Sequence, residues 1–406
     1  MRDDFHIAYV MYWGALEPVG LATAVPTVLR MARRARVTLV SFEKEEDVKD
    51  PERSRQVRDR LQEAGVRWIP CLYTPGYRAT PLDAWRGLQA LRRTHGDDPF
   101  HVVEGRTFVG GGIGAAFSRL HHIPFLYHTE GCWLDEQVDV GRLRETSFLL
   151  RILRGVEAGM VRQAGGLVVL TDFGEERFRQ LYLRERPGTP VLIVPTTSVL
   201  LEEAPKLGLS PVIPPGQPVQ CIYMGSVSGR YLLDEMLLFF REIASRRPGS
   251  TLDILAHRER DRVLKALEKH GLGRDSVSVS QVPHSGLPNR LAGKDLGFFF
   301  WEAGLSEKCC SPTKIPEYLA QGVSVVSTRA SGDGAGVLEG GKVGVVMNDP
   351  RNPEDRRRAL SELDQLLQDP DRSIRGQAVA REHYSLEDAI ESQMEVLQQL
   401  AKEERR

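Results

Sequence analysis

The sequence predicts an α/β protein of two doubly wound, Rossmann-like domains. Three observations carry this: a length of 406 residues, short apolar runs that alternate twice over with helix-period segments, and a proline-rich break between the two series. A chain this long exceeds what one hydrophobic core usually serves. Short apolar runs separated by amphipathic segments call for parallel strands joined by right-handed crossovers.

The first series places strands at His6–Tyr12, Val37–Phe42, Val66–Pro70, His101–Val103, Phe125–His128, Leu167–Leu170 and Val191–Val194. These make a first domain over 1–200. The periodicity lapses where Pro205, Pro211, Pro214, Pro215 and Pro218 cluster, so 201–218 is read as a linker. A second series follows at Val219–Met224, Thr251–Leu255, Val277–Val282, Leu296–Phe300, Val323–Ser327 and Val343–Val346, giving a second domain over 219–384. The last segment, 385–406, is an amphipathic helix with Ile390, Met394, Val396, Leu397 and Leu400 at helical spacing, able to pack on either domain.

Composition excludes several functions. Lys plus Arg number 54 against 55 Asp plus Glu, which leaves no global field to gather nucleic acid. The five cysteines are odd in number and form no paired CxxC array, so a reduced, cytoplasmic setting is expected, without a structural zinc. The start of the chain has no basic, apolar leader, and no stretch has the roughly 20 apolar residues of a spanning helix. The segment 147–154, Ser-Phe-Leu-Leu-Arg-Ile-Leu-Arg, is apolar with interspersed arginines, and Arg142, Arg144 and Arg162 lie close by. Peripheral membrane contact is one reading of it; a core-facing helix with solvated arginines is preferred.

In open parallel sheets, ligands bind beyond the carboxyl ends of the strands, where loops converge and helix N-termini expose free N–H groups. Four strand-end loops stand out. The first, from Trp13-Gly14 to Val19-Gly20, precedes a helix expected over about Ala22–Ala35; its glycines permit close backbone approach but fit neither a dinucleotide nor a Walker loop. The second is Glu104-Gly105-Arg106, followed by Gly110-Gly111-Gly112, and the third is Glu130-Gly131-Cys132-Trp133-Leu134-Asp135-Glu136. Both put charges at strand ends, where solvation competes with function. The fourth runs from Trp301 into Ser311-Pro312-Thr313-Lys314-Ile315-Pro316-Glu317. Here Ser311 is expected as the N-cap and Pro312 as the first helical residue, with Thr313 and Lys314 adding a hydroxyl and a cation that suit a pyrophosphate.

The order of these motifs resembles retaining glycosyltransferases of the GT-B fold, group 1 or family 4-like, with polysaccharide-type members the most similar. The likeness spans most of the chain: the first loop ending at Gly20, Ile123-Pro124 leading to Glu130-Gly131, Gly166 to Thr171, Val194-Pro195, Ile222-Tyr223-Met224-Gly225-Ser226, Val282-Pro283, and the stretch from Glu317 to Val326. It implies two domains whose sheets face a central cleft that closes for transfer. A nucleoside-diphosphate sugar of unassigned base would be held mainly by the second domain, and a glycan, lipid-linked or small-molecule acceptor mainly by the first. No other cofactor and no metal is expected, and no nucleic-acid partner.

The resemblance implies ribose bonding at Glu317, diphosphate binding at Ser311 to Thr313 with Lys314 neutralising the leaving group, and base stacking at Val282 and Pro283. Gly225, Ser226 and Arg230 complete the donor set. Gly20, Arg106, Glu130 and Trp133 form the acceptor set, with Glu130 and Lys314 as the catalytic pair. Four positions depart from the family pattern. Cys309 stands where many members carry a second Glu, Ser226 and about Tyr231 replace an Arg and a Lys, and Glu130 replaces a His. A sugar-nucleotide epimerase on the same fold and an inactive nucleotide-sugar-binding protein are the alternatives; a nicotinamide-dependent oxidoreductase is disfavoured by the glycine spacing.

Overall fold

The computed structural model describes residues 5–76, 78–256, 259–283 and 286–403. It divides into two compact units: Met1–Pro195 with Leu386–Arg406, and Thr196–Ser385.

Unit 1 holds β1 (His6–Met11), β2 (Arg36–Glu43), β3 (Val66–Leu72), β4 (Val102–Arg106), β5 (Phe125–His128), β6 (Gly166–Val169) and β7 (Val191–Ile193). They form one parallel sheet in the order β3-β2-β1-β4-β5-β6-β7. Strands buried on both faces read as continuous apolar runs, and β1 is buried throughout. Each of the first six runs is followed by a helix before the next parallel strand begins, as a parallel neighbour requires.

The helix Thr107–His121 lies unusually close to this sheet. A Cβ on Gly111 would fall 2.4 Å from the Tyr127 ring, and one on Gly105 would fall 2.6 Å from the Gly110 carbonyl oxygen. The glycine cluster after β4 is therefore a packing device, since any side chain there would force the helix outward. After β1 the expected long helix is replaced by a π-helical turn over Gly20–Ala24 and a short α-helix over Val25–Met31. A Cβ on Gly20 would lie 2.0 Å from the Gly14 carbonyl oxygen, so the loop closes tightly on itself and shifts the helical register.

Leu386–Glu403, the last helix, belongs to unit 1. Leu400 fills the space beside Gly165, and Gln393 donates to the buried Glu104 carboxylate at 2.6 Å. His128 meets the same carboxylate oxygen at 2.8 Å.

Unit 2 holds β8 (Gln220–Met224), β9 (Thr251–Leu255), β10 (Val277–Ser280), β11 (Leu296–Phe299), β12 (Ser324–Thr328) and β13 (Gly344–Met347). Their order is β10-β9-β8-β11-β12-β13, again parallel throughout. One face of the sheet packs an aromatic core in which Phe239, Phe240, Phe298 and Phe300 are buried together. Burying each such ring contributes about 1.5–3 kcal/mol.

The stretch read as a linker behaves differently from that expectation. Leu200 and Leu201 are buried in a unit 2 core with Leu319 and Tyr384. Further on, the Ile213 N–H donates to the Leu367 carbonyl at 2.9 Å and the Gln377 amide to the Pro205 carbonyl at 2.9 Å. The prolines suppress helix and strand, and the resulting extended segment is strapped to unit 2 by these bonds.

His6 on β1 is 2% exposed and lies 2.9 Å from Thr38 Oγ1. Burial pushes its imidazole down to about 4, outweighing the pull of Asp98 in the other direction. A folded pKa below the unfolded one stabilises the fold at pH above the unfolded value, and the stability is lost as pH falls towards 4. We expect about 2 kcal/mol of acid destabilisation from this residue. Urea unfolding of the wild type and His6→Gln at pH 7 and pH 4.5 should show it as a smaller pH dependence in the variant; equal dependence would remove His6 as the cause.

Candidate functional site

Strand order reverses beside β1 in unit 1 and beside β8 in unit 2. At such points adjacent loops diverge to opposite faces and leave a crevice. The charged candidates converge at both.

In unit 2, β8 ends at Met224 and Gly225 turns with φ of +110°. A Cβ at this position would sit 2.8 Å from Lys314 Cε, so glycine is required both by the backbone and by the lysine passing over it. Lys314 is only 8% exposed. Its ammonium donates to the Tyr231 hydroxyl at 3.0 Å and lies 4.3 Å from that ring's centroid, 5.6 Å from Phe299 and 5.8 Å from Tyr223. Aromatic faces attract a cation and replace part of its lost hydration. Burial would push the Tyr231 phenol up, but the charge and hydrogen bond of Lys314 bring it below the ordinary tyrosine value.

Tyr231 is tied to the next strand by an antiparallel bridge to Trp301, which follows β11. Arg230 stacks over the Trp301 ring at 5.1 Å and pairs with the buried Glu307 carboxylate at 3.3 Å. Its charge is thus already opposed by a carboxylate, unlike the phosphate partner expected from the sequence.

The helix after this loop spans Lys314–Ala320 with Thr313 as its N-cap, which corrects the expected start at Ser311 and Pro312. Ser311 Oγ instead accepts from the Thr196 N–H at 3.0 Å, and that tertiary bond holds the chain out of the helix. Glu317 is buried one turn after Lys314, and residues three apart share a helix face. Ser226 turns to Glu259, whose carboxylate also accepts from the Val227 N–H at 2.9 Å. Val282 and Pro283 lie on the loop after β10, beyond the carboxyl end of the sheet, with Pro283 exposed.

In unit 1, Gly20, Arg106 and Glu130 line one small pocket with Met11, Trp13, Val19 and Thr107. Arg106, the last residue of β4, is buried; its Nε donates to Glu130 and its Nη1 to the Tyr9 hydroxyl at 2.9 Å. Burial alone would depress the guanidinium, but Glu130 and Tyr9 reverse this and hold it above the ordinary arginine value. Thr107 follows with φ of +70°, a strained value for a β-branched residue. Trp133 lies outside this pocket and stacks on Phe108, ring centroids 4.7 Å apart.

Three site residues escaped the sequence reading. Tyr9 sits mid-strand in an apolar run and looks like core. Glu43, at the end of β2, accepts from the Ala15 and Leu16 N–H groups at 2.8 and 3.1 Å and so holds the first loop. Glu307 was hidden among the loop's other charges. A carboxylate closing a strand that holds no other acid was the available signal for Glu43.

Among the described residues, no three His, Cys, Asp or Glu side chains gather as a metal cage.

The sequence matches none of the curated proteins. Among solved structures, HepE of Anabaena in complex with UDP superposes over 98% of this chain and 100% of its own, with a TM-score of 0.69 and 14% identity. Sucrose-phosphate synthase of Thermosynechococcus elongatus covers 98% of this chain and 99% of its own, with a TM-score of 0.70 and 14% identity. A glycosyltransferase of Rickettsia africae covers 98% and 99%, with a TM-score of 0.65 and 12% identity. The fold is therefore GT-B, and residues 20–196 match the family of the glycosyl transferase 4-like domain.

Proposed function

We propose that the protein is a retaining, metal-independent hexosyltransferase that moves a sugar from a nucleoside-diphosphate sugar to an acceptor hydroxyl, in the synthesis of a glycan, polysaccharide or glycoconjugate. It would work in the cytoplasm. The observation that carries this reading is the buried Lys314 ammonium in its cage of Tyr231, Tyr223 and Phe299, one helical turn before the buried Glu317. A held cation suits a diphosphate, and a carboxylate on the same helix face suits a vicinal diol.

In this reading the region 219–384 binds the donor. Lys314 neutralises the departing diphosphate without a divalent ion, the amides around Ser311 to Thr313 contact its oxygens, Glu317 takes the ribose hydroxyls, and Val282 and Pro283 flank the base. Gly225 and Ser226 allow close approach of the sugar, and Arg230 acts through its pair with Glu307. The region 1–200 binds the acceptor at Gly20, Arg106, Glu130 and Trp133, and Glu130 orients its hydroxyl or stabilises positive charge at the anomeric carbon.

UDP is the first probe, because the Anabaena HepE neighbour was solved with it. A ligand bound only by the native state stabilises it by about 2.7 kcal/mol at a hundredfold excess over Kd. We expect the melting temperature to rise by roughly 5–10 °C. A screen of nucleoside diphosphates and their sugars in which nothing shifts the transition would overturn the donor site. Product analysis then separates the chemistries: free nucleoside diphosphate supports transfer, whereas an epimerised nucleotide sugar supports the isomerase alternative. Turnover abolished by a chelator would count against the metal-free mechanism.

A further inference from the structure

The helix Phe148–Gln163 of unit 1 is apolar on two sides. One side, with Leu150, Met160 and Val161, is buried as expected. The other is bare: Phe148 is 72% exposed, and Leu149, Ile152 and Val156 are each about half exposed. This corrects the preferred reading of 147–154 as simply core-facing. Phe148, Ile152 and Val156 follow one another four residues apart and so form a single stripe.

The stripe runs into an open groove of about 330 Å³ whose walls include Val156, Trp85, Leu88, Phe108 and Ile113. Trp85 is 57% exposed on the far wall. Gly155 and Gly159 have nothing within 4 Å of where a Cβ would stand, so no element among the described residues covers the helix at these two positions.

Within the helix itself the exposed charge has one sign. The helix carries Arg151, Arg154, Glu157 and Arg162. Its only acidic residue, Glu157, is buried and accepts from Tyr182, while Arg154 pairs with Asp135. Arg151 and Arg162 are exposed, fall on nearly the same helical bearing, and make no ion pair among the described residues. Just before the helix, exposed Arg144 is followed by exposed Glu145, so the cationic row is that of Arg151 and Arg162.

We infer that this face docks on an anionic lipid bilayer, with the Phe148 stripe and Trp85 entering the interface and the groove taking the end of a lipid chain. A bilayer offers apolar and anionic matter in the layered order that the stripe and the arginine row present. A second copy of this face would bring the arginine row against itself, which disfavours self-association as its use. No helix among the described residues is long and apolar enough to cross a membrane, so the contact is peripheral. Phe108 joins the groove to the polar pocket, since it lines the groove, stacks on Trp133 and follows Arg106 and Thr107. The inference does not depend on sugar transfer.

Flotation of the full chain with vesicles tests it. The protein should float with vesicles containing phosphatidylglycerol and much less with phosphatidylcholine alone. Phe148→Ser with Ile152→Ser should lower binding at least tenfold, and Arg151→Gln with Arg162→Gln by roughly 25-fold, at about fivefold per arginine. All four positions are exposed, so unchanged far-UV circular dichroism and melting temperature should accompany the loss. No flotation with phosphatidylglycerol vesicles, or equal flotation of the Phe148 and Ile152 variant, overturns the proposal. So does a wild-type dimer that this variant dissociates, because the face would then serve a second copy.

Discussion

Lys314→Met should lower kcat by about 10²–10³-fold, the usual cost of removing one preorganised group that meets charge developing on a leaving group. The substitution keeps a long unbranched chain over Gly225 and removes only the charge, so the loop can keep its shape. It also strands the Tyr231 hydroxyl, whose bond to Lys314 is 3.0 Å. A phenol freed of the neighbouring charge should titrate higher. Steady-state kinetics at saturating donor, with the tyrosinate absorbance followed against pH, give two independent readouts. Unchanged kcat would take Lys314 out of the chemistry, while an unmoved titration would contradict the cage.

Glu130→Gln should lower kcat by about 10²–10⁴-fold while leaving UDP affinity within a factor of about two, as expected for a carboxylate acting on the acceptor or the anomeric centre. The geometry adds a second expectation. Glu130 is the partner of Arg106, a buried guanidinium whose other acceptor among the described residues is the Tyr9 hydroxyl. Glutamine still offers a carbonyl oxygen to Arg106, so the loss of stability should stay below the 3–5 kcal/mol seen when a buried pair is broken outright. Glu130→Ala should reach that range. The comparison separates chemistry from scaffolding: a Gln variant with wild-type turnover would leave Glu130 only the role of holding Arg106.

The strands were legible because parallel strands buried on both faces leave a mark no amphipathic helix leaves, a run such as Leu167 to Leu170 with no polar residue to interrupt it. Positions decided by contacts from elsewhere in the chain were not. Ser311 followed by Pro312 has every local sign of a helix start, yet the Thr196 N–H claims its hydroxyl and the helix begins at Lys314. Tyr9 reads as core until Arg106 is laid beside it by the pairing of β1 with β4. The helix at Phe148 shows a further limit: spacing reports which residues share a side, but not whether anything covers that side.

Gln393 reaches Glu104, and Leu400 packs at Gly165, from a helix made more than 200 residues after the strands it covers. During synthesis the first sheet must therefore wait, with this flank open and Glu104 lacking one of its two donors, until the whole of unit 2 has left the ribosome. The order of translation and the order of completion are opposed: unit 2, contiguous from Thr196 to Ser385, can close first, and unit 1 is sealed last. A stop within the last helix would thus damage the domain that was begun earliest and spare the one made just before it.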